Sequence, residues 1–146
     1  MQIRTIHQND QSQWLALWQA YQVFYQAEIP TETTSMTWER LLDPRETMYA
    51  LVLEENGRLV GLVHYLWHRS TWTTGNYCYL QDLFVTPEQR NKGAGKLLIE
   101  AVYAKAAEQQ CSRVYWLTQE HNHPARALYD QVAQYSGFIQ YRKNLA

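Results

Sequence analysis

An α/β domain on a mixed sheet is the fold class this sequence predicts, and three observations predict it. The chain has 146 residues, 46% of them apolar, enough for one domain, 1–146, with a buried core. Its first half sets β-type runs end to end around turn signals, which calls for antiparallel hairpins. Its second half alternates strand, helix and strand, which calls for a crossover and a parallel pair.

Taken in order, "QIRTI" alternates and predicts a first strand. In "NDQSQWLALWQAYQVFYQAE", Asp10 with Gln13 is a capping-box pattern. Trp14, Leu17, Trp18, Tyr21 and Tyr25 then mark one face of a long helix, ended by Pro30. "SMTWERLLD" predicts a short second helix before Pro44. "MYALVLEENGRLVGLVHYLWHRS" predicts two strands around an Asn-Gly turn, and "YCYLQDLFV" a third, bounded by Pro87. "AGKLLIEAVYAKAAEQQ" is helix by propensity, with Leu97, Leu98, Ala101 and Ala104 on one side. "RVYWLT" is a strand, and "HPARALYDQVAQYSGF" a helix started by Pro124 and stopped by Gly137. "FIQYRKNL" closes the chain as a strand, so the expected order is β-α-α-β-β-β-α-β-α-β.

The bulk properties exclude several classes. A formal charge of −1 gives no basic face with which to grip nucleic acid. No run nears the roughly 20 apolar residues of a membrane span, and "MQIRTI" lacks a secretory apolar region. Two cysteines without a secretory signal suit free thiols, so a cytoplasmic location without membrane association is expected. Six Trp and eleven Tyr can fill a core or wall a pocket. His121 and His123 flank Asn122 without a third ligand nearby, and no metal site is expected.

The stretch "QRNKGAGKLL" raises the question of chemistry. A nucleoside-triphosphate loop would need Gly at 90 and Ser or Thr at 97, where Arg90 and Leu97 stand. A dinucleotide fingerprint would need Gly at 98, where Leu98 stands, and should follow the first strand. What remains is an R-x-x-G-x-G turn from Arg90 to Gly95 between strand and helix. Its glycines allow close backbone approach, and its N–H groups sit at the positive end of the following helix. Such a turn can hold a pyrophosphate or simply open a helix.

Together, "YLQDLFVTPEQRNKGAGKLLI", the N-x-x-A-x-x-L-Y run of Asn122, Ala125, Leu128 and Tyr129, and the later "GF" resemble the GNAT acetyltransferase superfamily. The likeness covers nearly the whole chain in element order. "YLQDLFV" and the Trp67–Trp72 segment are most similar to the yeast histone/polyamine and the spermidine/spermine acetyltransferase branch. There are two departures. Seven residues separate Tyr129 from Gly137 where about three are common, which a helix one turn longer would accommodate. Gln81 stands where spermidine/spermine enzymes carry Glu.

The resemblance implies the GNAT acyl-CoA N-acyltransferase fold and acetyl-CoA as cosubstrate. It implies a pyrophosphate site on Arg90, Asn91, Lys92, Gly93, Ala94, Gly95 and Lys96, and a pantetheine path along Leu83, Phe84 and Val85. Leu83 or a neighbour would offer a backbone N–H to the thioester oxygen. Asn122 would hydrogen-bond the pantetheine, or serve only as a helix-entry residue.

The acceptor must be a neutral amine to attack. Near neutral pH, deprotonating a lysine-like amine costs roughly 4 kcal/mol. Asp82 is the first candidate for that task, as amine anchor or through a water relay, or else a structural ion-pair partner; Glu28 and Glu120 are weaker ones. Tyr129 would protonate the departing thiolate by resemblance, or merely pack in the stripe with Ala125, Leu128 and Val132. Tyr21, Tyr25, Glu28, Trp38, Trp67 and Asp82 are expected around the acceptor. The reading is an N-acetyltransferase acting on a small primary amine, such as a polyamine or amino acid, and homodimeric. A protein-lysine acetyltransferase and a non-catalytic acyl-CoA sensor are the alternatives.

Overall fold

The computed structural model describes residues 1–146. Its elements are β1 (Gln2–Thr5), α1 (Gln11–Phe24), α2 (Thr31–Leu42), β2 (Met48–Glu55), β3 (Arg58–His68), β4 (Tyr77–Val85), α3 (Ala94–Glu108), β5 (Arg113–Tyr115) and α4 (His123–Val132). The five strands lie side by side in chain order. The first three pairings are antiparallel and β4–β5 is parallel, as the two halves of the sequence require. Asn56 and Gly57 take φ of 52° and 79°, the left-handed pair that a tight β2–β3 turn needs.

Strand alternation divides the core into two layers. Leu51, Leu53, Val63, Cys78 and Leu80 pack on α3 through Leu98, Ile99 and Val102. On the other face Val52, Leu62 and Phe84 meet Trp14, Leu17 and Trp18 of α1 and Trp38 of α2. Leu97 is 42% exposed, so the buried stripe of α3 runs through Ala94, Leu98, Ile99, Val102 and Ala106. An alanine-rich helix offers more than one apolar stripe, and the β4–α3 turn selects which one faces the sheet.

Several local expectations are corrected. Asp10 does not cap α1 with its side chain. It accepts from His7 N at 2.8 Å and binds both terminal nitrogens of Arg4, at 2.8 and 2.9 Å. Gln13 instead ties α1 to the β2–β3 hairpin, its Oε1 accepting from Leu59 N at 2.8 Å and its Nε2 donating to Gly57 O at 3.3 Å. The expected closing strand is not formed: residues 133–146 carry no strand or helix. Nor does α4 lengthen by a turn. It stops at Val132, whose carbonyl accepts from the Tyr103 hydroxyl of α3 at 2.8 Å, and Ala133 is already extended.

The Arg4 guanidinium, with help from the His7 N–H, holds the Asp10 carboxyl below the usual carboxylate range. A depressed folded pKa contributes stability above the unfolded value of about 3.9 and loses it as pH falls through the folded value. Asp10→Ala is expected to cost roughly 2–3 kcal/mol near neutrality, below the value for a fully buried pair because Arg4 is partly solvated. Urea midpoints of wild type and variant should converge as the pH is lowered below about 4.

Candidate active site

The site begins where the sheet opens. β5 pairs with β4 only over Tyr77–Tyr79, facing Arg113–Tyr115. That end is pinned: the Arg113 guanidinium lies over the Tyr77 ring at 4.4 Å, and His68 Nε2 meets the Tyr115 hydroxyl at 2.7 Å. Beyond Tyr79, β4 continues to Val85 with β3 on one side and no strand on the other. An extended chain of backbone polar groups therefore faces a cleft between β4 and β5.

At the end of that edge lies the glycine turn. Arg90 N donates to Pro87 O, and the next turn N–H with an internal main-chain acceptor is Leu97, to Gly93 O at 3.0 Å. The backbone N–H groups of residues 91–96 have none. Gly93, with φ 83°, turns the chain into α3, leaving these donors at the positive helix end. A β-carbon at Gly95 would stand 3.2 Å from Leu128 Cδ2, so that glycine lets α4 approach α3 closely. Lys92 is exposed, and Lys96 lies 3.9 Å from Glu100. Arg90 is not a free hook: its Nε donates to Val85 O at 3.1 Å, and its guanidinium lies over Phe24 and Phe84.

On the α1 side of β4, a cavity of about 390 Å³ is lined by Trp18, Tyr21, Tyr25, Ile29, His64 and Asp82, with others. Asp82 reaches it because of a β-bulge. His64 pairs with Asp82 but Tyr65 with Leu80, so Gln81 is the extra residue. Leu80 and Cys78 face α3, whereas Asp82 and Phe84, at the same sequence parity, face α1. The inserted residue turns the acid out of the α3 core and into the cavity. There Tyr21 Oη donates to Asp82 Oδ1 at 2.7 Å, and His64 Nδ1 lies 3.0 Å from Oδ2. Burial, and then the Asp82 charge, push the Tyr21 phenol well above its usual range.

Tyr129 stands on α4, its ring edge-on to Trp116 at 5.3 Å. Burial first, and then the Tyr25 phenol, push its hydroxyl up to about 12. Tyr25 packs on Tyr21 at 4.8 Å and feels the Asp82 charge. The aromatic side chains Tyr21 and Tyr25 thus run from the acid toward Tyr129. Asn122 is the N-cap of α4 but makes no side-chain cap bond.

Other expected acceptor residues lie elsewhere. Trp38 is buried in the α1–α2 core, its ring tilted against Trp14 with centroids 5.0 Å apart. Trp67 falls on the opposite face of β3 from His64, beside Tyr49 and Tyr65, because its offset along the strand from His64 is odd. Glu28 is exposed, outside the cavity lining, and so is Glu120. The residue that sequence reasoning missed is His64. It sits mid-strand in an apolar run, and only the register across β3 and β4 gives it a carboxylate partner.

The structure thus combines a mixed sheet paired only in part at β4–β5, an open run of N–H donors at a helix start and an acid in an aromatic cavity. The profile of the Acetyltransferase (GNAT) family matches residues 14–133, and the chain belongs to that family. It is an acetyl-CoA-dependent N-acetyltransferase. The D-amino-acid N-acetyltransferase HPA3 of Saccharomyces cerevisiae is 37% identical over 144 residues, covering 97% of this chain and 89% of that protein. The crystal structure of a ribosomal-protein-alanine N-acetyltransferase from Brucella melitensis superposes with TM-score 0.80 at 26% identity, covering 99% of this chain and 100% of that one. The aminoglycoside acetyltransferase AAC(6')-Iy, solved with a bisubstrate analog of CoA, gives TM-score 0.84 at 18% identity over 99% and 98% of the two chains; it speaks for the fold alone.

Proposed function

We propose that this N-acetyltransferase acts on a small cationic amine, such as an amino acid or a polyamine, bound with its ammonium group at Asp82. The observation that carries the reading is that carboxylate, both oxygens held by protein donors, facing an aromatic cavity beside the open edge of β4. Tyr21, Tyr25 and Trp18 give the cavity an aromatic wall, and Asp82 keeps lone pairs for the ammonium N–H groups. The amino-acid acceptor named for the yeast relative is of a size that suits this volume.

Acetyl-CoA supplies the activated acetyl thioester. The residues present fit it: the N–H groups of residues 91–96 suit a pyrophosphate, with Lys92 and Lys96 at the rim. Main-chain groups of Leu83, Phe84 and Val85 suit the amide-bearing arm, in the manner of an added strand, and Asn122, whose side chain makes no cap bond, is a further candidate to bind it. Asp82 holds the acceptor's ammonium and takes its proton, leaving a neutral nitrogen to attack.

Tyr129 keeps its proton throughout the physiological range. Burial holds its phenol up at about 12, so it can give that proton, or a hydrogen bond, to the departing thiolate. The proton that neutralises the thiolate comes, in net balance, from the acceptor nitrogen.

A thiol-release assay against amino acids of both hands, polyamines, aminoglycosides and a histone-tail peptide tests the reading, with acetyl-CoA binding followed by calorimetry. The highest kcat/KM is expected for one class of small cationic amine. Preference for the peptide would overturn the acceptor assignment, and binding without turnover on any acceptor would favour a sensor.

A homodimer is part of the proposal. Phe138, Ile139, Tyr141 and Leu145 are 73–91% exposed on the extended C-terminal segment, and β5 has a free edge. A second copy's segment pairing there would cover both. Sedimentation of the full chain should show a dimer that Ile139→Asp dissociates; a monomeric wild type would rule the arrangement out. Cys78 and Cys111 are free thiols, which fits the reducing cytoplasm.

A further inference from the structure

We infer that His64 and Trp14 are positioning residues that lock Asp82 as an oriented anion and so make the enzyme selective for acceptors carrying a positive charge. The inference rests on the reading of Asp82 as the acceptor's anchor. Trp14 Nε1 lies 3.0 Å from His64 Nε2, and Trp14 is 1% exposed. An indole N–H can only donate, so His64 Nε2 must accept. The imidazole proton is then on Nδ1, which donates to Asp82 Oδ2 at 3.0 Å. The tautomer is fixed by geometry, from a residue fifty positions upstream on another element.

Two consequences follow. Both His64 nitrogens are engaged, so His64 is not the group that takes a proton from the amine. With Tyr21 donating to Oδ1, both carboxylate oxygens are pinned by neutral donors, and no protein cation lies within ion-pair distance of Asp82 to neutralise it. The only other ionisable side chains lining the cavity are the phenols Tyr21, Tyr25, Tyr49 and Tyr65, and α2 contributes Thr33 and Thr37. The anion is thus held ready for a cation from outside the chain, at a cost in desolvation that a neutral acceptor could not offset.

The test has a spectroscopic and a kinetic arm. Long-range nitrogen–proton correlation spectra of the labelled full chain should show His64 as the Nδ1–H tautomer; an Nε2–H tautomer overturns the lock. His64→Leu is expected to raise KM for the cationic acceptor by about tenfold or more with acetyl-CoA affinity unchanged, and His64→Asn, which keeps a donor near the Nδ1 position, to recover most of it. Equal losses in the two variants would reduce His64 to packing and overturn the proposal. If His64→Leu fails to fold, Trp14→Phe should raise KM for the cationic acceptor severalfold with acetyl-CoA affinity unchanged; an unchanged KM would overturn Trp14's part. Asp82→Asn with unchanged KM, alongside the expected tautomer, would instead remove the anchor on which the inference rests.

Discussion

Asp82→Asn is expected to lower kcat/KM for the cationic acceptor by about 10²–10³-fold, while acetyl-CoA affinity stays within about twofold. The amide is nearly isosteric, so Tyr21 and His64 still find an oxygen at one of their two contacts. What is lost is the negative charge, and with it both the attraction for the ammonium and the acceptor of its proton. Removing one partner of a desolvated charge pair typically costs several kcal/mol, enough for the predicted range. The loss should be divided between KM and kcat, since binding and proton removal both depend on the charge. Steady-state kinetics with the preferred amine would check it. Activity within a few-fold of wild type would show that the anchor lies elsewhere in the cavity.

Tyr129→Phe is expected to lower kcat by roughly 10²-fold with little change in KM for the amine, the usual effect of deleting one donor to a developing negative charge. The ring still packs edge-on against Trp116, so the fold should be retained. Because burial pushes the phenol up to about 12, wild-type activity should show no alkaline decline from this group below about pH 10. Acetyl-CoA binding by calorimetry should be preserved in the variant. Unchanged turnover would leave Tyr129 as a packing residue of the α4 stripe.

The parts of the site legible in the sequence were those set by local chemistry. Gly93 and Gly95 advertise a turn that enters a helix, and the donors of residues 91–96 are left open because a helix start always leaves its first N–H groups without partners. Tyr21 and Tyr25 were legible as one stripe of α1. Trp38 and Trp67 were misplaced because aromatic content says nothing of direction. Trp38 turns into the core beneath α1, and Trp67 has the wrong strand parity to share a face with His64. Gln13 illustrates the same limit, since its capping spacing is real but its side chain is drawn to the hairpin.

The sequence by itself determined the element order, the Asn-Gly hairpin and the anion-ready turn, because each depends on residues adjacent in the chain. Only the tertiary structure decided that Asp82 faces the aromatic cavity on the α1 side of β4. Cys78, Leu80, Asp82 and Phe84 share one parity, and alternation alone would send all four to one side. The bulge at Gln81 reverses that parity after Leu80, and it exists only through pairing with β3. The same pairing sets His64 beside Asp82, and packing of α1 brings Trp14 to His64. The C-terminal strand is decided at the same level: "FIQYRKNL" has strand composition, but a strand exists only through pairing, and the segment pairs with no strand of this chain although the edge of β5 is open.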